Sequence, residues 1–109
     1  MKPTAATRRP AASGRLRIVG GEWRRRVLAF PDAEGLRPTP DRVRETLFNW
    51  LGQDLSGLAC LDLFAGSGAL GLEAASRGAG KVVLVERNPR VADALDSNIR
   101  LLQGAGRVE

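Results

Sequence analysis

The chain has 109 residues, a net charge of +5, a hydrophobic fraction of 43%, one cysteine and no histidine. That is room for one small domain with a real core, and it excludes a disulfide framework or a zinc site built from cysteine and histidine. No apolar stretch reaches the length of a membrane span.

Residues 1–14 are rich in alanine, proline, threonine and arginine and lack the apolar core of a secretory signal, so a disordered basic tail is expected, with an organelle transit peptide as the alternative. Lys2, Arg8, Arg9, Arg15, Arg17, Arg24, Arg25 and Arg26 all precede Val27, against the single acid Glu22. From Asp54 onward the acids slightly outnumber the bases. Charge concentrated in this way is the footprint of a polyanion binder or, failing that, a solubilising surface.

Alternating apolar and basic residues in Arg15–Val19 and Trp23–Phe30 flank Gly20-Gly21-Glu22 and predict a hairpin. Leu16, Ile18, Val27 and Leu28 are expected to face inward, with the arginines outward where they can lie along phosphates. Trp23 either stacks on a base or buries an edge. Pro31–Pro38 reads as a loop. A helix should follow, with Thr39 as N-cap, Pro40 at the first helical position and Asp41 complementing the helix dipole. Val43, Leu47, Trp50 and Leu51 recur at helical spacing and predict its core face. Arg42, Glu45, Thr46 and Asn49 share another face, either an ordinary wet one or a lid beside a ligand mouth.

The second half alternates strand (about Ala59–Leu63), helix (about Ala69–Ser76), strand (Lys81–Glu86) and helix (about Pro89–Leu102). Cys60 falls inside the first strand as a small core residue. Val91, Leu95, Asn98, Ile99 and Leu102 form one stripe of the last helix. After Gly104 and Gly106, Arg107-Val108-Glu109 looks like the opening of a third strand. There is no internal repeat. A doubly wound sheet needs more strands than these, so one edge of the Ala59–Leu63 strand should be unpaired and apolar.

The chemistry concentrates between Leu61 and Gly78. An apolar strand ends in Asp62, a glycine-rich turn follows, and an amphipathic helix begins, the arrangement that cradles adenosine-containing cofactors at the carboxyl end of a parallel strand. Gly66-Ser67-Gly68-Ala69-Leu70-Gly71 fits the dinucleotide fingerprint, which alone is a weak signal. A dinucleotide would set its pyrophosphate against this turn, where Asp62 repels it. S-adenosylmethionine carries an ammonium and a sulfonium that favour a nearby carboxylate, and a carboxylate that suits a helix N-terminus. Asp62 therefore favours S-adenosylmethionine. Glu86, at the end of the next strand, can accept hydrogen bonds from ribose hydroxyls with either cofactor.

Three blocks, Arg17-Ile18-Val19-Gly20-Gly21-Glu22-Trp23-Arg24, then Leu36-Arg37-Pro38-Thr39-Pro40-Asp41-Arg42-Val43-Arg44-Glu45-Thr46-Leu47-Phe48-Asn49-Trp50-Leu51, then Asp62-Leu63-Phe64-Ala65-Gly66-Ser67-Gly68-Ala69-Leu70-Gly71, closely resemble the bacterial 16S ribosomal RNA guanine-N2 methyltransferases of the RsmD family. The resemblance runs from about Arg15 to the end and is most specific in the middle block. It implies an α/β, Rossmann-like class I S-adenosylmethionine-dependent methyltransferase fold, incomplete, preceded by an N-terminal β-hairpin and helix. The implied division is a tail over 1–14, an RNA-facing hairpin and helix over 15–53, and the first half of the cofactor-binding domain over 54–109. The implied cofactor-binding residues are Asp62, Phe64, Ala65, Gly66, Ser67, Gly68, Leu70, Gly71, Glu86, Arg87 and Asn88. The implied RNA-facing residues are Arg17, Trp23, Arg24, Arg25 and Arg26, with Arg37, Thr39, Arg42, Glu45 and Asn49 where cofactor and flipped guanine meet.

The implied partner is 16S ribosomal RNA or a small-subunit assembly intermediate, met by a cytoplasmic monomer without metal or membrane. The resemblance also implies an Asn/Asp-Pro-Pro-aromatic motif that accepts the amine's hydrogens and stacks the base. The sequence has no Pro-Pro pair and no acid after a third strand, so no catalytic residue is assigned and activity is not expected of this stretch alone. Arg25 stands where the family is expected to prefer glycine. The alternatives are a methyltransferase for another exocyclic amine, such as adenine-N6 in DNA, a non-catalytic RNA-binding fragment, and a nicotinamide-dependent oxidoreductase, which Asp62 and the arginine hairpin disfavour.

Overall fold

The computed structural model describes residues 12–31, 36, 39–104 and 106–109, so Arg37 and the chain before residue 12 lie outside them. Strands β1 (Ala12–Arg17) and β2 (Val27–Pro31) pair antiparallel, with Leu16 opposite Leu28 and Arg17 opposite Val27. The hairpin thus begins at Ala12, three residues ahead of Arg15 and inside the stretch expected to be tail. Leu16, Ile18 and Leu28 are buried as expected, but Val27 is half exposed, because neighbours along a strand point to opposite faces.

Gly20-Gly21 is not the tip of a tight turn. Residues 18–26 form a wider loop, in which the Ile18 N–H donates to the Arg26 carbonyl and the Arg25 N–H to the Ile18 carbonyl, both at 2.9 Å. Arg25 closes this loop at φ +73°, a left-handed conformation that glycine adopts more readily. The two glycines serve another purpose. Gly21, at φ +81°, presses so close to the next layer that a Cβ there would stand 2.0 Å from the Ser76 carbonyl oxygen.

That next layer is helix α2 (Ala69–Ser76), which has the bounds predicted and is buried along nearly its whole length. It packs on a parallel sheet of β3 (Ala59–Asp62) and β4 (Lys81–Leu84), in which Cys60 pairs with Val82 and Asp62 with Leu84. Val108 bridges β4 in parallel on its other side, with the Val82 N–H donating to the Arg107 carbonyl and the Leu84 N–H to the Glu109 carbonyl, so the expected third strand begins there. Helix α3 (Pro89–Leu101) is capped by Asn88, whose side chain accepts from the Arg90 N–H. Its predicted stripe of Val91, Leu95, Asn98, Ile99 and Leu102 is buried throughout, and the Asn98 amide donates to the Ala29 carbonyl of β2 at 2.9 Å.

Helix α1 (Asp41–Leu51) departs from expectation. Pro40 occupies the N-cap without a side-chain hydrogen bond, so Thr39 does not cap it. Its buried residues are Arg44 and Phe48, while Val43, Leu51 and above all Trp50, 81% exposed, face out. The reason is a charge on the opposing helix. Glu73 of α2 is completely buried and accepts from the Arg44 guanidinium at 2.9 Å and from Arg77 Nε at 2.9 Å. An unpaired buried carboxylate is prohibitive, so α1 must turn its cation inward, and Phe48, one turn on, follows it. The Arg77 guanidinium lies 4.8 Å above the Phe48 ring and also donates to Gln53. The apolar row of α1 is thereby turned toward the free edge of β3. There Leu47 and Leu51 join Leu58, Cys60, Leu61 and Leu63 around a cavity of about 440 Å³.

The same carboxylate receives the hairpin loop. Glu73 accepts the Val19 N–H at 3.0 Å and the Gly20 N–H at 2.8 Å, and Ser76 accepts the Trp23 N–H and donates to the Gly20 carbonyl. Replacing Glu73 by alanine leaves buried Arg77 without an ionic partner among the described residues, Arg44 with Asp41 alone, and two backbone donors unsatisfied. The expected loss is about 3–5 kcal/mol in urea unfolding, whereas Trp50→Ser should change stability by less than about 0.5 kcal/mol. A loss under about 1 kcal/mol for Glu73→Ala would contradict this reading.

Candidate functional site

β3 delivers Asp62 to the carboxyl end of the sheet, and the chain turns at once. The Ala65 N–H donates to the Val85 carbonyl at 2.9 Å and the Gly68 N–H to the Ala65 carbonyl at 2.8 Å, which folds residues 63–68 into a compact loop leading into α2. Glu86, just past β4, braces this loop against the next one. One of its carboxylate oxygens accepts the Gly66 N–H at 2.8 Å and the other the Asn88 N–H at 3.0 Å. Each oxygen retains a lone pair for a ligand hydroxyl.

These loops enclose a cavity of about 640 Å³. Of the expected cofactor residues, Asp62, Phe64, Ala65, Gly66, Ser67, Leu70, Glu86, Arg87 and Asn88 line it, together with Leu36, Thr39, Ala69, Pro89 and Val91. Gly68 and Gly71 are not among its lining residues. Both are buried against apolar side chains: a Cβ on Gly71 would meet Leu84 at 2.1 Å, and one on Gly68 would meet Leu95 at 2.7 Å. Their role is to let α2 sit close on its neighbours. Phe64, 91% exposed, stands at the rim. Two carboxylates, Asp62 and Glu86, share the cavity with Arg87 and the start of α2, where no side chain caps the helix. Such a cavity suits a ligand with cationic and hydroxyl groups toward the strand ends and an anionic group toward the helix. Among the described residues no cluster of histidine, cysteine, aspartate or glutamate could hold a metal ion, and no helix is long and apolar enough to cross a membrane.

The residues expected to face a polyanion divide. Arg24, Arg25 and Arg26 are exposed on the hairpin loop, and Arg17 is exposed but paired with Asp41 at 3.1 Å. Trp23 is only 4% exposed, held under the Arg107 guanidinium, which lies 4.8 Å above its ring, so it is not open to stack on a base. Its backbone tie to Ser76 is what draws it in. Of the residues expected beside the cofactor, Thr39 lines the cavity, whereas Arg42, Glu45 and Asn49 are exposed on α1 and do not; Arg37 lies outside the described residues. Asn49 accepts from the Gln53 amide instead. Sequence reasoning missed Glu73, Arg44 and Arg77, although a lone acid within the apolar run Ala69–Ala75 was the available signal.

A family model described as Conserved hypothetical protein 95 matches residues 16–109. Ribosomal RNA small subunit methyltransferase D of Escherichia coli strain K12 is 54% identical over 99 residues, covering 90% of this chain and 50% of that protein. The protein of the same name from Haemophilus influenzae is 52% identical over 94 residues, covering 86% of this chain and 49% of its own length. A solved structure of a candidate methyltransferase from Escherichia coli superposes with a TM-score of 0.79 at 50% identity, over 88% of this chain and 51% of that one. A hypothetical protein from Thermus thermophilus gives a TM-score of 0.70 at 40% identity, over 85% and 53%. The chain therefore spans about half the length of the curated relatives it matches.

Glu86→Gln tests the brace. Glutamine offers one acceptor where the carboxylate offers two, so one loop amide loses its partner. The expected result is a loss of about 1–2 kcal/mol and faster hydrogen exchange at Gly66 or Asn88. Unchanged exchange at both amides would contradict the assignment.

Proposed function

The chain belongs to the family described as Conserved hypothetical protein 95, and on that premise we propose that it supplies the methyl-donor cradle and the RNA-facing surface of an enzyme that methylates the exocyclic N2 of a guanine in 16S ribosomal RNA. The observation that carries the reading is Asp62, set at the carboxyl end of β3 on the wall of a cavity that the start of α2 also lines. The names of its half-matched relatives point the same way. The partner is then 16S ribosomal RNA, free or in an assembling small subunit, and the place of action is the cytoplasm.

S-adenosylmethionine, when bound, supplies a methyl group on a positively charged sulfur, poised for transfer to a nucleophile. The residues present fit it. Asp62 offers a negative charge to its ammonium and sulfonium, Glu86 has lone pairs free for ribose hydroxyls, and the N–H groups opening α2 suit its carboxylate. A dinucleotide fits less well, since its pyrophosphate would meet the Asp62 carboxylate. Orientation is the chain's main contribution. Glu86 fixes the two loops relative to each other, and Gly68 and Gly71 let α2 seat against Leu95 and β4, so the cradle is formed before a ligand arrives. The guanine amine is a poor nucleophile because its lone pair is delocalised into the ring. Groups that accept its hydrogens and stack the base are supplied, in this reading, by an Asn/Asp-Pro-Pro-aromatic motif outside this sequence. Arg24, Arg25 and Arg26 hold the RNA by its phosphates.

Calorimetry distinguishes the cofactors: S-adenosylhomocysteine should bind and NAD should not. Asp62→Asn should weaken that binding about tenfold, roughly 1.4 kcal/mol, while leaving the urea midpoint nearly unchanged. Binding of NAD, or an equal loss of folding and affinity, would sink the proposal. Replacing Arg24, Arg25 and Arg26 together by alanine should reduce the salt slope of single-stranded RNA binding by about 2, at about 0.7 per phosphate contact. An unchanged slope would remove these arginines from the interface.

A further inference from the structure

A second cleft, of about 330 Å³, lies between the hairpin loop and α1 and shares no lining residue with the methyl-donor cavity. Its floor is Ile18 and Val19, held in place by the Val19 N–H bond to Glu73. Arg17 and Asp41 form one wall and are already paired, Asp41 also accepting from the buried Arg44. That leaves Arg24, Arg25 and Glu45, all exposed and without an ionic partner among the described residues, facing one small space. Arg25 is held there by its left-handed backbone and its N–H bond to Ile18.

The charges specify the occupant. A site for phosphate alone would not include Glu45, which repels it. A site for a cation would not include Arg24 and Arg25. A ligand carrying both an anion and hydrogen-bond donors satisfies all three, and an unpaired nucleotide is such a ligand. Guanine is the best match among the bases, because its N1–H and N2–H lie side by side and can both donate to one carboxylate. The volume admits one nucleotide. We infer that this cleft binds a single unpaired guanine nucleotide of the RNA, distinct from the one methylated, with its phosphate on Arg24 and Arg25 and its Watson–Crick edge on Glu45. The inference rests on the RNA reading above and adds to it a second, base-selective contact outside the donor cavity.

The test titrates the chain with guanosine 5′-monophosphate, inosine 5′-monophosphate and uridine 5′-monophosphate while amide resonances are followed. Inosine lacks only the N2 amine. Val19, Arg24, Arg25 and Glu45 amides should shift, and the guanosine nucleotide should bind about five- to tenfold more tightly than the inosine one. Glu45→Ala should erase that ratio, while Arg24→Ala with Arg25→Ala should weaken all three nucleotides alike. Shifts confined to Gly66 and Asn88, equal affinity for guanosine and inosine nucleotides, or a preference that survives Glu45→Ala would each overturn the inference. Single-stranded RNA binding measured alongside separates the two proposals. If RNA binds with its salt dependence but no guanine preference appears, only the cleft falls; if neither RNA nor nucleotides bind, both fall.

Discussion

One buried carboxylate organises this molecule. Glu73 sits in the middle of an otherwise apolar helix and gathers two guanidiniums and two backbone N–H groups from three different parts of the chain. Its position explains why α1 buries Arg44 and Phe48 rather than Val43, Trp50 and Leu51, why residues 18–26 spread into a loop, and why Gly21 has no side chain. A buried ion cluster of this kind contributes little net stability compared with apolar packing, but loss of its carboxylate is costly because charged and polar partners are left under-satisfied in a dry interior. It therefore acts as a specificity device, allowing one docking of hairpin, α1 and α2 and penalising the rest.

That docking links the basic loop to the cavity at the strand ends. The helix that holds Glu73 also begins at the wall of the 640 Å³ cavity, so the basic loop and that cavity are both fixed to one element, Ala69–Ser76. A line of ion pairs runs from exposed Arg17 through Asp41 and Arg44 to Glu73 and Arg77. Positive charge on the surface is thus anchored to the core rather than carried on a free arm. The apolar surface lies elsewhere, where Leu61, Leu63 and Phe64 at the free edge of β3 meet the outward row of α1.

Much of this is legible in the residues, for identifiable reasons. The stripe of α3 carries its signal locally, in periodicity, with Asn88-Pro89 at its start and Gly104 past its end, and it appears where expected; α2 has its expected bounds but is buried nearly all round rather than amphipathic. The cavity is legible because strand, acid and glycine turn are contiguous, which brings nine predicted residues together on its wall. Helix α1 is not, because its hydrophobic row is the stronger pattern, and periodicity does not reveal that a carboxylate 29 residues away outranks it. The glycines at 68 and 71 read as ligand contacts, and the sequence does not reveal that each also lies close against Leu95 or Leu84. Trp23 reads equally as stacking or buried, and only the tie of its N–H to Ser76 resolves it.

Native-state hydrogen exchange tests the organising role of Glu73 most directly. If the carboxylate joins hairpin loop and helix into one cooperative unit, the Val19, Gly20 and Glu22 amides exchange only through the same opening that exposes Leu72 in α2, with matching free energies. Loop amides that exchange orders of magnitude faster than Leu72 would show that the two surfaces are not held together in this way.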